Sequence, residues 1–98
     1  MGKNNLQHCT MRKKGISYTT TYLLWMSKYT NTFALHGIYF PDTSGITYDG
    51  CGKYWEMPYS TMLHEGTYNQ VKDEFMNKIM EKTSEGYSGT VESHSKDD

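Results

Sequence analysis

The sequence has 98 residues, with 10 Lys and Arg against 11 Asp and Glu and a net charge of −1, which is typical of one small domain with one core. No run of about 18 apolar residues is present, which excludes a membrane-spanning helix in this sequence. Met1 leads into a polar run without the apolar segment of a secretory signal, so we expect a cytoplasmic protein. The near-neutral total conceals an asymmetry: residues 1–41 carry five basic and no acidic side chains (+5), whereas residues 42–98 carry five basic and eleven acidic ones (−6).

The apolar composition favours aromatic and sulfur-containing residues over aliphatic ones. Nine Tyr, seven Met and two Trp stand against five Leu, four Ile and two Val. Tyr, Trp and Met are enriched at protein–protein contacts, so the composition indicates a binding surface. The alternative is that these residues replace Leu and Ile in the interior.

In chain order, residues 1–15 are predicted to be a basic, polar lead-in without regular structure. Residues 16–26 are predicted to form a strand, and the signal is the clearest in the chain because β-branched and aromatic residues alternate there. The predicted core face of this strand comprises Ile16, Tyr18, Thr20, Tyr22, Leu24 and Met26. The opposite face becomes apolar at Leu23 and Trp25, which an open sheet would leave exposed.

Three further strands are predicted. Residues 33–40 are apolar on both faces, which favours a central strand ending at Pro41. Residues 46–48 and 51–57 flank Asp49-Gly50, whose residue types favour the positive φ angles of a type I′ hairpin turn.

A single helix is predicted over residues 67–83. Thr67 and Gln70 have the spacing of a capping box, and Gly86 marks the expected end. An apolar stripe at helical spacing comprises Tyr68, Val71, Phe75, Met76, Ile79 and Met80. Residues 84–98 contain almost nothing to bury and are predicted to be a flexible polar tail.

The predicted fold is therefore α+β: a small antiparallel sheet of about four strands in a meander, with one C-terminal amphipathic helix packed on one face. A single domain is expected over residues 16–83.

The sequence shows no constellation of residues that carries chemistry. Its four His match no zinc-ligand spacing, and no Gly-rich loop opens a helix, so we expect no catalytic residue, metal or cofactor. Cys9 and Cys51 without a Cys-x-x-Cys pair fit a reduced protein, and their spacing leaves a bridge between them open.

One segment resembles a known active-site motif. Residues 33–41 contain His36-Gly37 and end in Phe40-Pro41, and they are similar to the first active-site box of the acid ribonuclease family, which reads His-Gly-Leu-Trp-Pro. This resemblance implies a catalytic role for His36 on a central strand. Phe40 is an additional residue before Pro41, which departs from the family pattern.

A related hypothesis is nucleic-acid binding by the basic first half. Arg12-Lys13-Lys14 leads into Tyr18, Tyr22 and Trp25, and bases stack on aromatic rings beside cationic side chains. The single Arg of the chain argues against base or phosphate recognition.

The interpretation that we favour is a non-enzymatic protein-binding module with an acidic partner. The expected contact anchors are Leu23, Trp25, Tyr54 and Trp55, with Lys13 and Lys14 steering the partner. Short chains rich in Lys, Tyr, Thr and Asn are similar to accessory proteins of AT-rich phages or mobile elements, which often inhibit host enzymes or defence complexes. A homodimer through the first predicted strand would explain its apolar second face equally well.

Overall fold

The computed structural model describes residues 5–42, 54–56 and 62–94. It contains one antiparallel sheet of five strands: β1 (Gln7–Lys14), β2 (Thr19–Lys28), β3 (Phe33–Asp42), β4 (Met62–Gly66) and β5 (Ser88–Ser93). A helix, α1 (Tyr68–Ser84), packs on one face, and a short 3-10 helix spans Tyr54–Glu56. The strand order is β4-β3-β2-β1-β5. The first four strands therefore form a meander, and α1 leads from one edge of the sheet to the other.

The α+β class and the helix packed on the sheet agree with the prediction, but the number and limits of the strands differ. The predicted strand over residues 16–26 corresponds to β2, and the one over residues 33–40 to β3. β2 begins later because Gly15 donates its N–H to the carbonyl of Tyr18 at 2.7 Å, which closes a tight turn. The predicted hairpin around Asp49-Gly50 lies outside the described residues, except that Tyr54–Glu56 form a 3-10 helix rather than a strand.

The predicted basic lead-in is wrong for Gln7–Lys14, which forms β1 between β2 and β5. Cys9 and Met11 on this strand are buried against α1, while His8 and Thr10 point to the other face. The strand is hard to recognise in the sequence because only two of its residues are apolar. Its place in the sheet depends on backbone hydrogen bonds to β2 on one side and β5 on the other.

The predicted flexible tail is likewise wrong for Ser88–Ser93. These residues form β5, an edge strand antiparallel to β1, and all six are exposed. β4 was not predicted either, and it pairs with β3 across a β-bulge at Leu35 and His36. The sheet thus extends on both sides of the predicted domain over residues 16–83.

The helix agrees closely with its prediction. Thr67 is the N-cap: its hydroxyl accepts the N–H of Gln70 at 3.2 Å, and its own N–H donates to Oε1 of Gln70 at 3.0 Å. This reciprocal capping box satisfies two backbone groups that the helix start would otherwise leave unpaired. The helix ends before Gly86, whose φ of 104° is readily adopted only by glycine.

The predicted apolar stripe of the helix is only partly buried. Val71 and Phe75 are buried against the sheet, whereas Met76 and Met80 are exposed. The sheet itself carries apolar residues on both faces. The core between helix and sheet comprises Cys9, Met11, Tyr22, Leu24, Met26, Leu35, Val71, Phe75 and Tyr87. A second cluster on the opposite face comprises Leu23, Trp25 and Tyr54, with Ile38, Phe40 and Trp55 packed against it.

Candidate functional site

Three of the expected contact anchors are buried, which corrects the prediction that they form an exposed patch. Trp25 has 0% of its surface exposed, and Leu23 and Tyr54 are also buried. The physical reason is that the 3-10 helix Tyr54–Glu56 packs on the second face of the sheet, where the ring of Tyr54 meets that of Trp25 edge to face at 5.5 Å. The apolar second face of β2, for which a homodimer was the alternative explanation, is therefore covered by Tyr54 of the same chain.

His36, the residue that the ribonuclease resemblance singled out, is 1% exposed. Its ring stacks on Trp25 at 5.1 Å between centroids, and its Nε2 lies 2.8 Å from the hydroxyl of Ser27. A side chain enclosed in this way does not reach a substrate. The catalytic role that the ribonuclease resemblance implies for His36 is therefore not supported by its position, and the contacts are those of a core histidine.

A different histidine, His8, lines an open cleft between β1 and β5. His8 lies directly opposite Glu92 in the strand register, and Thr10 lies opposite Thr90. These side chains, with Arg12 and Gly89, line a cleft of about 230 Å³ on the face away from α1. The register pairs Arg12 with Ser88, four residues along the strand from His8, so Arg12 lies at the other end of the cleft.

His94, just after β5, fixes the protonation pattern of His8. Nε2 of His94 lies 2.8 Å from the carbonyl of Met26, which can only accept, so this nitrogen carries a proton. The Nδ1 atoms of His94 and His8 are 3.0 Å apart, and with a neutral His94 its Nδ1 accepts the Nδ1–H of His8. The remaining nitrogen of His8, Nε2, lies 3.5 Å from Oε1 of Glu92.

Burial favours the neutral form of both rings. It lowers the pKa of His94 to about 4, because the hydrogen bond to Met26 offsets the loss of hydration only in part and nearby His8 lowers the value further. Burial also lowers the pKa of His8, against the opposing effect of the Glu92 carboxylate. Near neutral pH, His94 is therefore uncharged. The charge of Glu92 and its side-chain hydrogen bond to His8 favour retention of the proton on His8 and oppose the effect of burial.

Aromatic packing holds this pair in place. Trp55 stacks on His8 with 3.9 Å between ring centroids and also lies 5.5 Å from His94. Tyr54 hydrogen-bonds to the hydroxyl of Thr10 at 2.8 Å. Trp55, expected as a partner-contact anchor, is half-buried and forms one wall of the histidine pair.

The β1–β2 turn is the second surface of interest. Lys13 and Lys14 are exposed at the end of β1, as steering residues must be. Between the strands, Ile16 is fully exposed and Tyr18 about half exposed. Because both had been expected in the core face of the first strand, their exposure corrects the prediction, and the closed turn explains it.

Lys82 occupies a cage of tyrosine rings on the helix face. Its Nζ lies 4.6 Å from the ring centroid of Tyr39, 4.8 Å from Tyr22 and 5.9 Å from Tyr87, and it donates to the hydroxyl of Tyr39. Glu85 accepts a further hydrogen bond at 3.4 Å. A buried ammonium needs such partners, so the cage is filled by the chain itself.

Comparison with known proteins finds no matching family model, no matching curated protein and no matching solved structure. Among the described residues, no helix is long and apolar enough to cross a membrane. In the same residues, no three His, Cys, Asp or Glu side chains converge as a metal-binding group.

Sequence reasoning missed His8, Glu92 and His94 as a group. His8 is more than 80 positions away from Glu92 and His94. The segments that carry these residues are the two ends of the chain, for which the sequence predicts no strand. The one local signal was the alternation of polar and apolar residues over residues 8–11, which indicates a strand but not its partner.

Proposed function

We propose that this chain is a non-enzymatic protein-binding module that attaches to an acidic surface through its β1–β2 turn. The observation that carries the proposal is the full exposure of Ile16 at the tip of the turn. An isolated exposed aliphatic residue is ordinary, but here it is accompanied by the exposed Tyr18 and by two lysines. Apolar anchors inside a charged rim are the usual anatomy of a protein contact.

The sign of the charge points to the kind of partner. Lys13 and Lys14 are exposed beside the tip, and the first 41 residues of the chain contain no acidic side chain. A complementary partner surface is therefore acidic. The compositional similarity to accessory proteins of phages or mobile elements supports a role in which the module inhibits a host enzyme or defence complex by covering its surface.

The test compares capture of partners from lysate of the native host by the parent chain and by a tip variant, Ile16→Ser with Tyr18→Ser. Met80→Ser is the matched control, since Met80 is 64% exposed on the helix and far along the chain from the tip. We expect one protein to be retained by the parent and by Met80→Ser, and to be lost with the tip variant.

Equal retention by the tip variant would overturn the proposal. So would loss of the captured protein after nuclease treatment, because that result would favour the nucleic-acid alternative. Replacing Lys13 and Lys14 with Glu should weaken capture of an acidic partner at low salt, and unchanged capture would exclude an acidic partner surface.

A further inference from the structure

We propose that the outer edge of β5 is an interface between two copies of this chain, whose β5 strands pair antiparallel and join the two sheets into one. Within the part of the chain that the structure describes, no strand pairs with the outer side of β5. β5 contains no proline or lysine, and its register with β1 runs without a bulge, so it lacks the usual features that prevent edge-to-edge pairing. The opposite edge strand, β4, is shorter and is joined to β3 across a bulge.

The hydrogen bonds between β5 and β1 determine which backbone groups of β5 point outward. The N–H of His94 donates to the carbonyl of Leu6 at 2.9 Å, which continues the β1–β5 register by one position. Residues of an antiparallel strand direct their N–H and C=O groups alternately to its two sides. Counted from His94, the even-numbered residues of β5 therefore bond to β1, whereas the odd-numbered ones direct these groups outward: Gly89, Val91 and Ser93.

Side-chain size favours a two-fold axis that passes through Thr90. Residues directly opposite each other in a sheet share a face, so two identical strands can pair only with the axis at a residue. With the axis at Thr90, Val91 of each copy lies opposite Gly89 of the other, and the two exchange outward backbone hydrogen bonds. Glu92 of each copy lies opposite Ser88 of the other. On both faces a larger side chain thus meets a small one.

Charge complementarity favours the same arrangement. Arg12 lies opposite Ser88 in the β1–β5 register and lines the cleft on the face away from α1, as Glu92 does. Glu92 of the second copy then lies in the same row as Arg12, two strand spacings or about 10 Å away, with only the small Ser88 between them. The two long side chains can meet across this distance, and the two-fold axis forms the pair twice. An axis at Val91 would instead place Glu92 opposite Thr90, outside this row.

Glu92 is available for such a contact. Its side chain is 67% exposed, and its Oε1 lies 3.5 Å from Nε2 of His8. A carboxylate has two oxygens and several acceptor positions, so Glu92 can accept from Arg12 of the second copy while it remains near His8.

The first test is sedimentation equilibrium of the full chain. We expect a monomer–dimer equilibrium for the parent and dimerisation at least about tenfold weaker for Val91→Pro, which loses an outward N–H in each copy. Proline is tolerated on an edge strand where its nitrogen faces outward, so the bonds between β5 and β1 should remain. Val91→Thr is the matched control, because it keeps the N–H and nearly the same shape, and it should dimerise as the parent does.

Charge reversal gives a second test that does not depend on proline. Arg12→Glu and Glu92→Lys each place like charges in one row, so each variant alone should dimerise more weakly than the parent at low salt. An equimolar mixture of the two variants has opposite charges in both rows and should restore the dimer. A mixture that stays monomeric at concentrations where the parent dimerises would exclude the proposed register.

Oxidative cross-linking tests the axis directly. In the proposed dimer, Thr90 faces its own counterpart in a non-hydrogen-bonded pair with Cα atoms about 4.5 Å apart, which a disulfide can bridge. Thr90→Cys in a Cys51→Ser background should therefore form cross-linked dimers, and Cys9 is buried and should not react. Ser93→Cys in the same background is the control, because Ser93 is also exposed but lies about 20 Å from its counterpart.

A parent that stays monomeric at its highest soluble concentration would overturn the proposal. So would a folded Val91→Pro variant that dimerises like the parent, or equal cross-linking at positions 90 and 93. If circular dichroism shows that Val91→Pro does not fold, the charge-reversal mixture decides. All of these experiments use this chain alone, so their outcome is independent of the proposed binding of another protein at the β1–β2 turn.

Discussion

At the scale of single residues, Trp25 shows how a side chain expected at the surface can belong to the core. It lies on the face of β2 away from the helix, where it stacks on His36 and meets Tyr54 edge to face. Its indole has no exposed surface. Leu23 and Trp25, which the alternating pattern of residues 16–26 placed on an open face of the sheet, are therefore buried and contribute to the stability of the fold.

We expect Trp25→Ala to lower the free energy of unfolding by about 3–5 kcal/mol, because a large buried ring is replaced by a cavity. Urea unfolding followed by far-UV circular dichroism measures the change. Ile16→Ala is the control, since Ile16 buries nothing within the chain, and its midpoint should match that of the parent. A Trp25→Ala variant as stable as the parent would show that the second face is open.

Tyr22 makes stability depend on pH in the alkaline range. Burial raises its pKa from 10.0 to about 12, and the charges of Glu81 and Glu85 add to the effect. The unfolded chain thus releases the phenol proton at a lower pH than the folded chain does. This contribution to stability is complete below pH 10 and is lost as the pH rises toward 12.

We therefore expect Tyr22→Phe to lose less stability than the parent between pH 10 and pH 12. The difference should be on the order of 2 kcal/mol, and urea unfolding at several pH values measures it. Tyr18→Phe is the control, because Tyr18 is exposed, and it should follow the parent. Parallel stability curves for Tyr22→Phe and the parent would contradict the prediction.

At the scale of elements, the edge strand β5 is held by its backbone rather than by buried side chains. All six of its residues are exposed, and it pairs with β1 over the register from Gln7 opposite Ser93 to Arg12 opposite Ser88. The carbonyl of Leu6 also accepts the N–H of His94 at 2.9 Å. Because such a strand buries no side chain, its sequence lacks the alternation of apolar and polar residues from which strands are predicted.

Removing β5 tests whether it is part of the folded unit. We expect a chain that ends at Tyr87 to unfold at a clearly lower temperature than the parent, because β1 loses its outer hydrogen-bonding partner and His8 loses the ring of His94. A chain that ends at His94 retains every described strand and serves as the control. Equal thermal midpoints for the two truncated chains would support the original interpretation of residues 84–98 as a tail.

At the scale of the whole molecule, the chain separates one basic region from the rest of the fold. β1 and β2 contain four basic and no acidic residues, whereas α1 contains three basic and three acidic residues. A molecule with almost no net charge can still orient an approaching partner when its charges are separated in this way.

If the proposed partner surface is acidic, this separation should appear in the association rate. We expect the rate constant for association to fall as ionic strength rises, while the dissociation rate changes little. Surface plasmon resonance with the captured partner measures both rates. An association rate that is independent of salt would argue that the lysines at the β1–β2 turn do not steer binding.

The sequence alone determined the elements whose signals are local. Alternating β-branched and aromatic residues identified β2 and β3, and Thr67 with Gln70 identified the start of the helix, because side-chain periodicity and capping depend on neighbours within a few positions. The α+β class followed from these elements. The exposed β1–β2 turn was misassigned because alternation of residue types continues through it to Ile16.

Only the tertiary structure decided which strands neighbour one another and what covers each face. β1 and β5 are joined by backbone hydrogen bonds between residues about 80 positions apart. Every residue type can form such bonds, except that proline has no backbone N–H to donate. The burial of Trp25 depends on Tyr54, and the orientation of His8 depends on His94. Contacts over these separations are set by how the whole chain packs, so neither the second core nor the histidine cleft could be derived from residue patterns.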